Sequence, residues 1–192
     1  MPNTTHGGLD LRIRKTRRAI IHALFDLLRR EDFASITVLQ LVAAAEIGQT
    51  TFYRHYQDKY ALAQAAIDDC LARLNPVLIH RLASEGLPRA IQPQPGAERG
   101  LIAEIALLRK IDLPEVSFQE SARRQFATQI QAELRARKVA LRYPAPIAKH
   151  FAALIYSFLM VVTDQGPDYD AAVIEDQITE FRKVLNIVNN IS

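Results

Sequence analysis

Residues 36–62 read ITVLQLVAAAEIGQTTFYRHYQDKYAL, from Ile36 to Leu62, and this stretch decides the fold. Thr37 is a good N-cap, and Leu39, Leu41, Val42 and Ala45 give the residues after it one apolar face at helical spacing. Glu46-Ile47-Gly48 interrupts that helix before a second begins. The second segment carries Gln49, Thr50, Thr51, Tyr53, Arg54, His55 and Tyr56, so hydrogen-bonding and cationic groups crowd one short helix while Phe52 is left to anchor it. Two short helices joined by a tight break form a helix-turn-helix. A second helix of this composition suits a DNA major groove, where base edges offer donors and acceptors and hydroxyls reach phosphates.

Charge is distributed in keeping with that reading. The net charge of +3 resides entirely in residues 1–60, which hold nine Lys/Arg against six Asp/Glu; residues 61–192 hold fifteen of each. The excess is densest in Arg12, Arg14, Lys15, Arg17 and Arg18, five cations in seven residues, which would add salt-dependent affinity beside a phosphate backbone. Cations at a helix start oppose the helix dipole, so part of this run is expected to be an arm rather than regular helix.

At these residues the chain resembles the DNA-binding domain of the tetracycline-repressor (TetR-like) regulators. Thr51-Phe52-Tyr53-Arg54-His55-Tyr56, then Gln57, then Asp58-Lys59-Tyr60-Ala61-Leu62 stand where that family has a T-F-Y-x-H-F/Y recognition helix, a polar turn and D-K-x-x-L. Upstream, Arg17-Arg18-Ala19-Ile20-Ile21 with Leu24, Phe25, Leu27 and Leu28 resembles the family's first helix, and Phe33 with Ser35-Ile36-Thr37 resembles the link to its second. The similarity covers roughly residues 12–65. It implies a double-stranded DNA operator as partner. Thr37, Tyr53, His55, Tyr56 and Lys59 would touch phosphates or brace the helix, and Gln49, Thr50 and Tyr53 would meet base edges. Arg54 would take either role, Thr51 belongs to the same DNA-binding set, and Arg12, Arg14, Lys15 and Arg17 would flank it. Two positions depart from the pattern. Glu46 stands where glycine is usual, so either the turn differs locally or a strain of order 1 kcal/mol is tolerated. Gly48 replaces the usual Ser-type cap and offers no side-chain acceptor.

Composition bounds the remainder. With 192 residues and 49% hydrophobic content the chain can bury a real core as one domain or two small ones. The single cysteine, Cys70, excludes an intramolecular disulfide framework and a cysteine-based zinc cage, and suits a reducing cytoplasm. The N-terminal MPNTTHGGLDLR has no apolar run and does not read as a signal peptide. The apolar segment nearest to a membrane span, Phe151 to Thr163, is too short for one. His6, His22, His55, His80 and His150 lack metal-ligand spacing, and no nucleophile elbow or phosphate loop occurs. No metal, cofactor or catalytic set is therefore expected, and the protein reads as a non-enzyme.

The apolar periodicity is helical nearly throughout, so the expected class is all-α: a helix-turn-helix domain over 1–60, then a helical regulatory and dimerisation domain over 61–192. A helix from Asp58 carries Leu62, Ala65, Ala66, Cys70 and Leu74, and is expected to end or kink at Asn75-Pro76. Val77 to Ala83 would begin another, and the breaker-rich Ser84 to Gly100 reads as a loop. Helices are expected over Leu101–Ile111 and Phe118–Arg142, separated by Asp112-Leu113-Pro114. In the second, Phe118, Ala122, Phe126, Ile130 and Leu134 form one stripe, the ordinary sign of a core face. Because the family resemblance implies a small ligand among the central helices, Phe118, Phe126, Arg123, His150 and Tyr156 are candidates for lining its site.

Two terminal helices each carry two apolar rows. Pro146 to Thr163 has Ile147, Phe151, Leu154, Phe158 and Val161, with Ala152, Ile155, Leu159 and Val162 as the second row. Ala171 to Asn189 has Ile174, Ile178, Phe181, Leu185 and Val188. That exceeds what one small core needs, so Phe151, Leu154, Phe158, Ile174, Ile178, Phe181 and Leu185 are expected at the interface of a homodimer, in a four-helix bundle built from two chains. Taken with these rows, the family resemblance implies a homodimeric, ligand-responsive repressor with a small-molecule inducer. A DNA-associated scaffold that recruits a protein partner without an inducer is the competing reading.

Overall fold

The computed structural model describes residues 5–85 and 99–165, with 172, 173, 176, 177, 179, 180 and 183 beyond them. Among these the chain forms seven helices: α1 (Thr5–Leu28), α2 (Val38–Ala44), α3 (Gln49–His55), α4 (Lys59–Glu85), α5 (Arg99–Leu108), α6 (Phe118–Ala136) and α7 (Pro144–Gln165). Two two-residue strands, β1 (Asp112–Leu113) and β2 (Val116–Ser117), pair antiparallel in the link between α5 and α6. The class is all-α, as the periodicity predicts, and this small ribbon is its one departure among the described residues. The ribbon is closed by the Ser117 hydroxyl donating to Asp112 Oδ1 at 2.7 Å.

The chain divides into two compact units, residues 1–68 with 107–118 and residues 69–106 with 119–192. In the first, α1 buries Ile20, Ala23, Leu24, Phe25 and Leu28, and α2 adds Leu41 and Val42. α3 contributes Phe52, and the first turns of α4 contribute Leu62, Ala63, Ala66 and Ile67. Leu39 is not in this core. It is 65% exposed, because the buried face of so short a helix is only wide enough for Leu41 and Val42. The basic run is regular helix, not an arm: α1 begins at Thr5, so Arg12 to Arg18 lie beyond the first turn, where the dipole no longer opposes cations.

In the second unit α4 buries Cys70, Leu71 and Leu78 and continues through Pro76 to Glu85, so no helix ends at Asn75. Proline removes one intrahelical bond, the acceptor at Ala72, but the apolar face on both sides keeps the helix in register. The Val77–Ala83 segment is therefore the end of α4 and not a new helix. Of the Ser84 to Gly100 loop, residues 86–98 lie outside the described residues. Arg73 pairs with Asp69 at 3.2 Å on its own helix and with Glu104 on α5.

α6 stops at Ala136, short of the expected Arg142. Lys138 takes φ 53°, Val139 N–H reaches back to Leu134 C=O and Lys138 N–H to Arg135 C=O, the paired bonds that close a helix on a left-handed residue. The apolar segment legible as Phe151–Thr163 belongs to a longer helix. α7 has 22 residues and a mean hydropathy of 1.6 in its most apolar window, long and apolar enough by length and composition to cross a membrane. Its two apolar rows are unequal: Ala148, Ala152, Ile155, Tyr156 and Val162 are buried, whereas Ile147 and Phe151 are 37% and 42% exposed, and Leu154, Phe158 and Val161 are intermediate. Ile174, Ile178, Phe181 and Leu185 lie outside the described residues.

Candidate nucleic-acid interface

The helix-turn-helix is assembled by its own capping groups. Thr37 is extended, with φ −109° and ψ 158°. Its hydroxyl oxygen accepts from Gln40 N–H while the Gln40 side-chain oxygen accepts from Thr37 N–H, a reciprocal capping box. The Gln40 amide also donates to both carboxylate oxygens of Glu31, at 2.9 and 3.2 Å, which ties the start of α2 to the beginning of the preceding link, just after α1. The T-x-x-Q spacing at 37–40 signals this box, whereas the involvement of Glu31 carries no sequence signal.

Glu46 resolves the first departure. It sits at φ 54°, with Glu46 N–H donating to Ala43 C=O and Ile47 N–H to Val42 C=O. The turn therefore has the geometry a glycine would supply, and a glutamate is held in it. Gly48 caps α3 with φ −82° and ψ 153° and no side-chain hydrogen bond; a Cβ there would meet nothing within 4 Å.

α3 presents two faces. Phe52 is fully buried and Tyr56 is 5% exposed, and together they press the helix onto the core; side chains of this size stabilise by about 1.5–3 kcal/mol each when buried. On the opposite face Gln49, Thr50, Tyr53 and Arg54 are exposed, Tyr53 at 55%, while Thr51 and His55 are intermediate. Arg17 of α1 donates from Nε to the Tyr56 hydroxyl at 3.4 Å, and its guanidinium lies 5.7 Å from that ring. Arg12, Arg14, Lys15, Arg17 and Arg18 are all exposed along α1. His55 stands near two of the cations, and burial first, then Arg17 and Arg54, hold its imidazole below the ordinary 6.5.

Lys59 is placed differently from the α3 side chains. Its ammonium donates to three backbone carbonyls of the α1–α2 link, Phe33 at 3.0 Å, Ala34 at 2.8 Å and Ile36 at 2.8 Å. It also lies 5.0 Å from the Phe33 ring centre and 5.5 Å from that of Tyr60, and loss of hydration there lowers its pKa. The preceding Asp58 caps α4 by accepting from Ala61 N–H at 2.7 Å. Asp58 and Lys59 are thus a cap and a clamp, a division of labour that the dipeptide by itself does not disclose.

Of the candidate ligand residues, the structure brings Arg123 and Tyr156 together, with the guanidinium 5.1 Å from the ring centre. Phe118, in the first unit, and Phe126, in the second, are fully buried, as are Ala122 and, at 7% exposure, Ile130, whereas Arg123 and His150 are exposed. Cys70 is buried, and that burial, with Glu104 and Asp69 nearby, pushes its thiol up to about 12. It stays a protonated core side chain.

Comparison with a family model bears on the same segment. Residues 20–66 match the family of bacterial regulatory proteins described as the tetR family. An uncharacterised HTH-type transcriptional regulator of Bacillus subtilis (strain 168), YxbF, is 34% identical over 67 residues, 34% of this chain; the chain spans only 18% of that relative's length. Among solved structures the dihydroxyacetone kinase operon activator DhaS aligns over 92% of this chain and 97% of its own, with a TM-score of 0.55 at 15% identity, a likeness of fold. Residues 20–66, which contain the helix-turn-helix, are thus similar to the tetR family of bacterial regulatory proteins.

Proposed function

We propose that this protein is a homodimeric, ligand-responsive repressor acting in the cytoplasm on a near-palindromic operator. The observation that carries the reading is the two-faced α3: Phe52 and Tyr56 seat it, leaving Gln49, Thr50, Tyr53 and Arg54 outward. These groups can reach base edges and phosphates, and Arg17 and the other α1 cations extend the positive surface. The more exposed row of α7, with Ile147 and Phe151 exposed among the described residues, supports a subunit contact. Two recognition helices set about 34–36 Å apart would read successive major grooves. A ligand favouring another separation lowers DNA affinity by its differential binding to the two arrangements. Arg123 over Tyr156 supports a recognition group for an acidic portion of such a ligand. The fold neighbour is named as an activator, but at 15% identity it speaks only to fold.

Selection of sites from random DNA with purified protein tests the proposal. A near-palindrome with half-sites about one helical turn apart should be enriched. Tyr53→Ala, which removes an exposed side chain and leaves the core intact, should weaken binding to that site by about tenfold, or 1.4 kcal/mol. Absence of any enriched sequence with wild-type protein would remove the operator reading.

A further inference from the structure

We infer that Lys59 is a positioning residue for DNA reading, acting through the carbonyl-lined turn that launches α2, and is not itself a phosphate ligand. The inference rests on the DNA-binding reading. A lysine ammonium has three N–H donors and no acceptor, and here all three are engaged: Phe33, Ala34 and Ile36 carbonyls accept at 3.0, 2.8 and 2.8 Å. The Phe33 and Tyr60 rings, edge to face at 5.9 Å, flank the same cation. A phosphate oxygen could take a hydrogen bond from this group only by displacing a carbonyl and leaving it unpaired.

The clamp has a defined target. The Ile36 carbonyl belongs to the peptide that leads into Thr37, whose side chain caps α2. On the far side of Thr37, Gln40 is tied to Glu31. The start of α2 is therefore held from both directions, by Lys59 and by the Glu31–Gln40 pair. α2 packs on α3, so a shift in its first turn is passed to the helix that meets base edges. Loss of the clamp should degrade sequence discrimination more than general attraction to DNA, because attraction depends on phosphate contacts that Lys59 does not make.

The test uses the full chain with Lys59→Met, which keeps length and removes the donors, and Lys59→Gln as a milder variant should the first fold poorly. Both are measured at a temperature where circular dichroism shows them folded. Binding to the selected operator and to random duplex is titrated across salt. The expected result is roughly a tenfold loss of operator affinity, a reduced ratio of operator to random binding, and an unchanged slope of log K against log salt. A slope reduced by about 0.9, the value for one phosphate contact, with the ratio preserved, would establish a direct phosphate role and overturn the inference. Unchanged affinity, ratio and slope in a folded variant would leave Lys59 a stability residue only, and would overturn it equally. If wild-type protein selects no DNA, the functional reading fails first and the inference with it; a failure confined to the variants touches the inference alone.

Discussion

Glu46→Gly should stabilise the protein. At φ 54° the residue occupies the left-handed region, which costs a side-chain-bearing residue about 1–2 kcal/mol. Glycine adopts that conformation without the penalty but loses more backbone freedom on folding, which offsets about 0.4–1 kcal/mol. Taken at the middle of each range, the net gain is about 0.8 kcal/mol. A second effect must be separated, since a carboxylate at the C-terminal end of α2 opposes the helix dipole by about 0.3–1 kcal/mol. Glu46→Gln removes the charge and keeps the strained backbone, so the difference between the Gly and Gln variants isolates the conformational term. Urea titration followed by circular dichroism reads it directly: Glu46→Gly should have a higher midpoint than Glu46→Gln at unchanged slope. If the glycine variant equals or falls below the glutamine variant, Glu46 is not strained and the account of the turn is wrong.

Three further outcomes follow from the same geometry. Gly48→Ser should raise stability by a few tenths of a kcal/mol in the same titration, because an extended N-cap with open space at Cβ can accept from the first amides of α3; a loss would mean the cap is not free to take a side chain. Phe151→Glu should yield monomer in sedimentation while keeping helical content, since the side chain is 42% exposed in a single chain and an unpaired carboxylate is strongly unfavourable only if a partner covers it. A persisting dimer would move the interface elsewhere. Because His55 is held below its ordinary 6.5 in the folded chain, the unfolded chain binds more protons near that pH, so its contribution to stability is present above about pH 6.5 and is lost as pH falls toward the folded value. His55→Gln should flatten the dependence of the urea midpoint on pH between about 5 and 7, and an unaltered profile would place the dependence on other groups.

The all-α class, the helix-turn-helix and the anchoring role of Phe52 were legible in the sequence because each rests on local periodicity and capping chemistry. Thr37 announces its helix, and Phe52 is the one large apolar residue in a short polar segment. The capping pattern likewise fixed where α2 begins, whereas the proline at 76 suggests a helix end that the structure does not have, because packing on either side of it outweighs one lost bond and α4 continues through Pro76. Burial of Leu41 without Leu39 depends on the angle at which a two-turn helix meets its neighbours, which no window of sequence contains. The same holds for Lys59. Next to Asp58 in an exposed-looking motif it reads as a cation for phosphate, and only folding brings Phe33, Ala34 and Ile36, more than twenty residues earlier in the chain, within reach of its ammonium. Local chemistry chooses the elements; which polar groups are left free to meet DNA is decided by long-range contacts, because a buried carbonyl must find a donor wherever in the chain one is available.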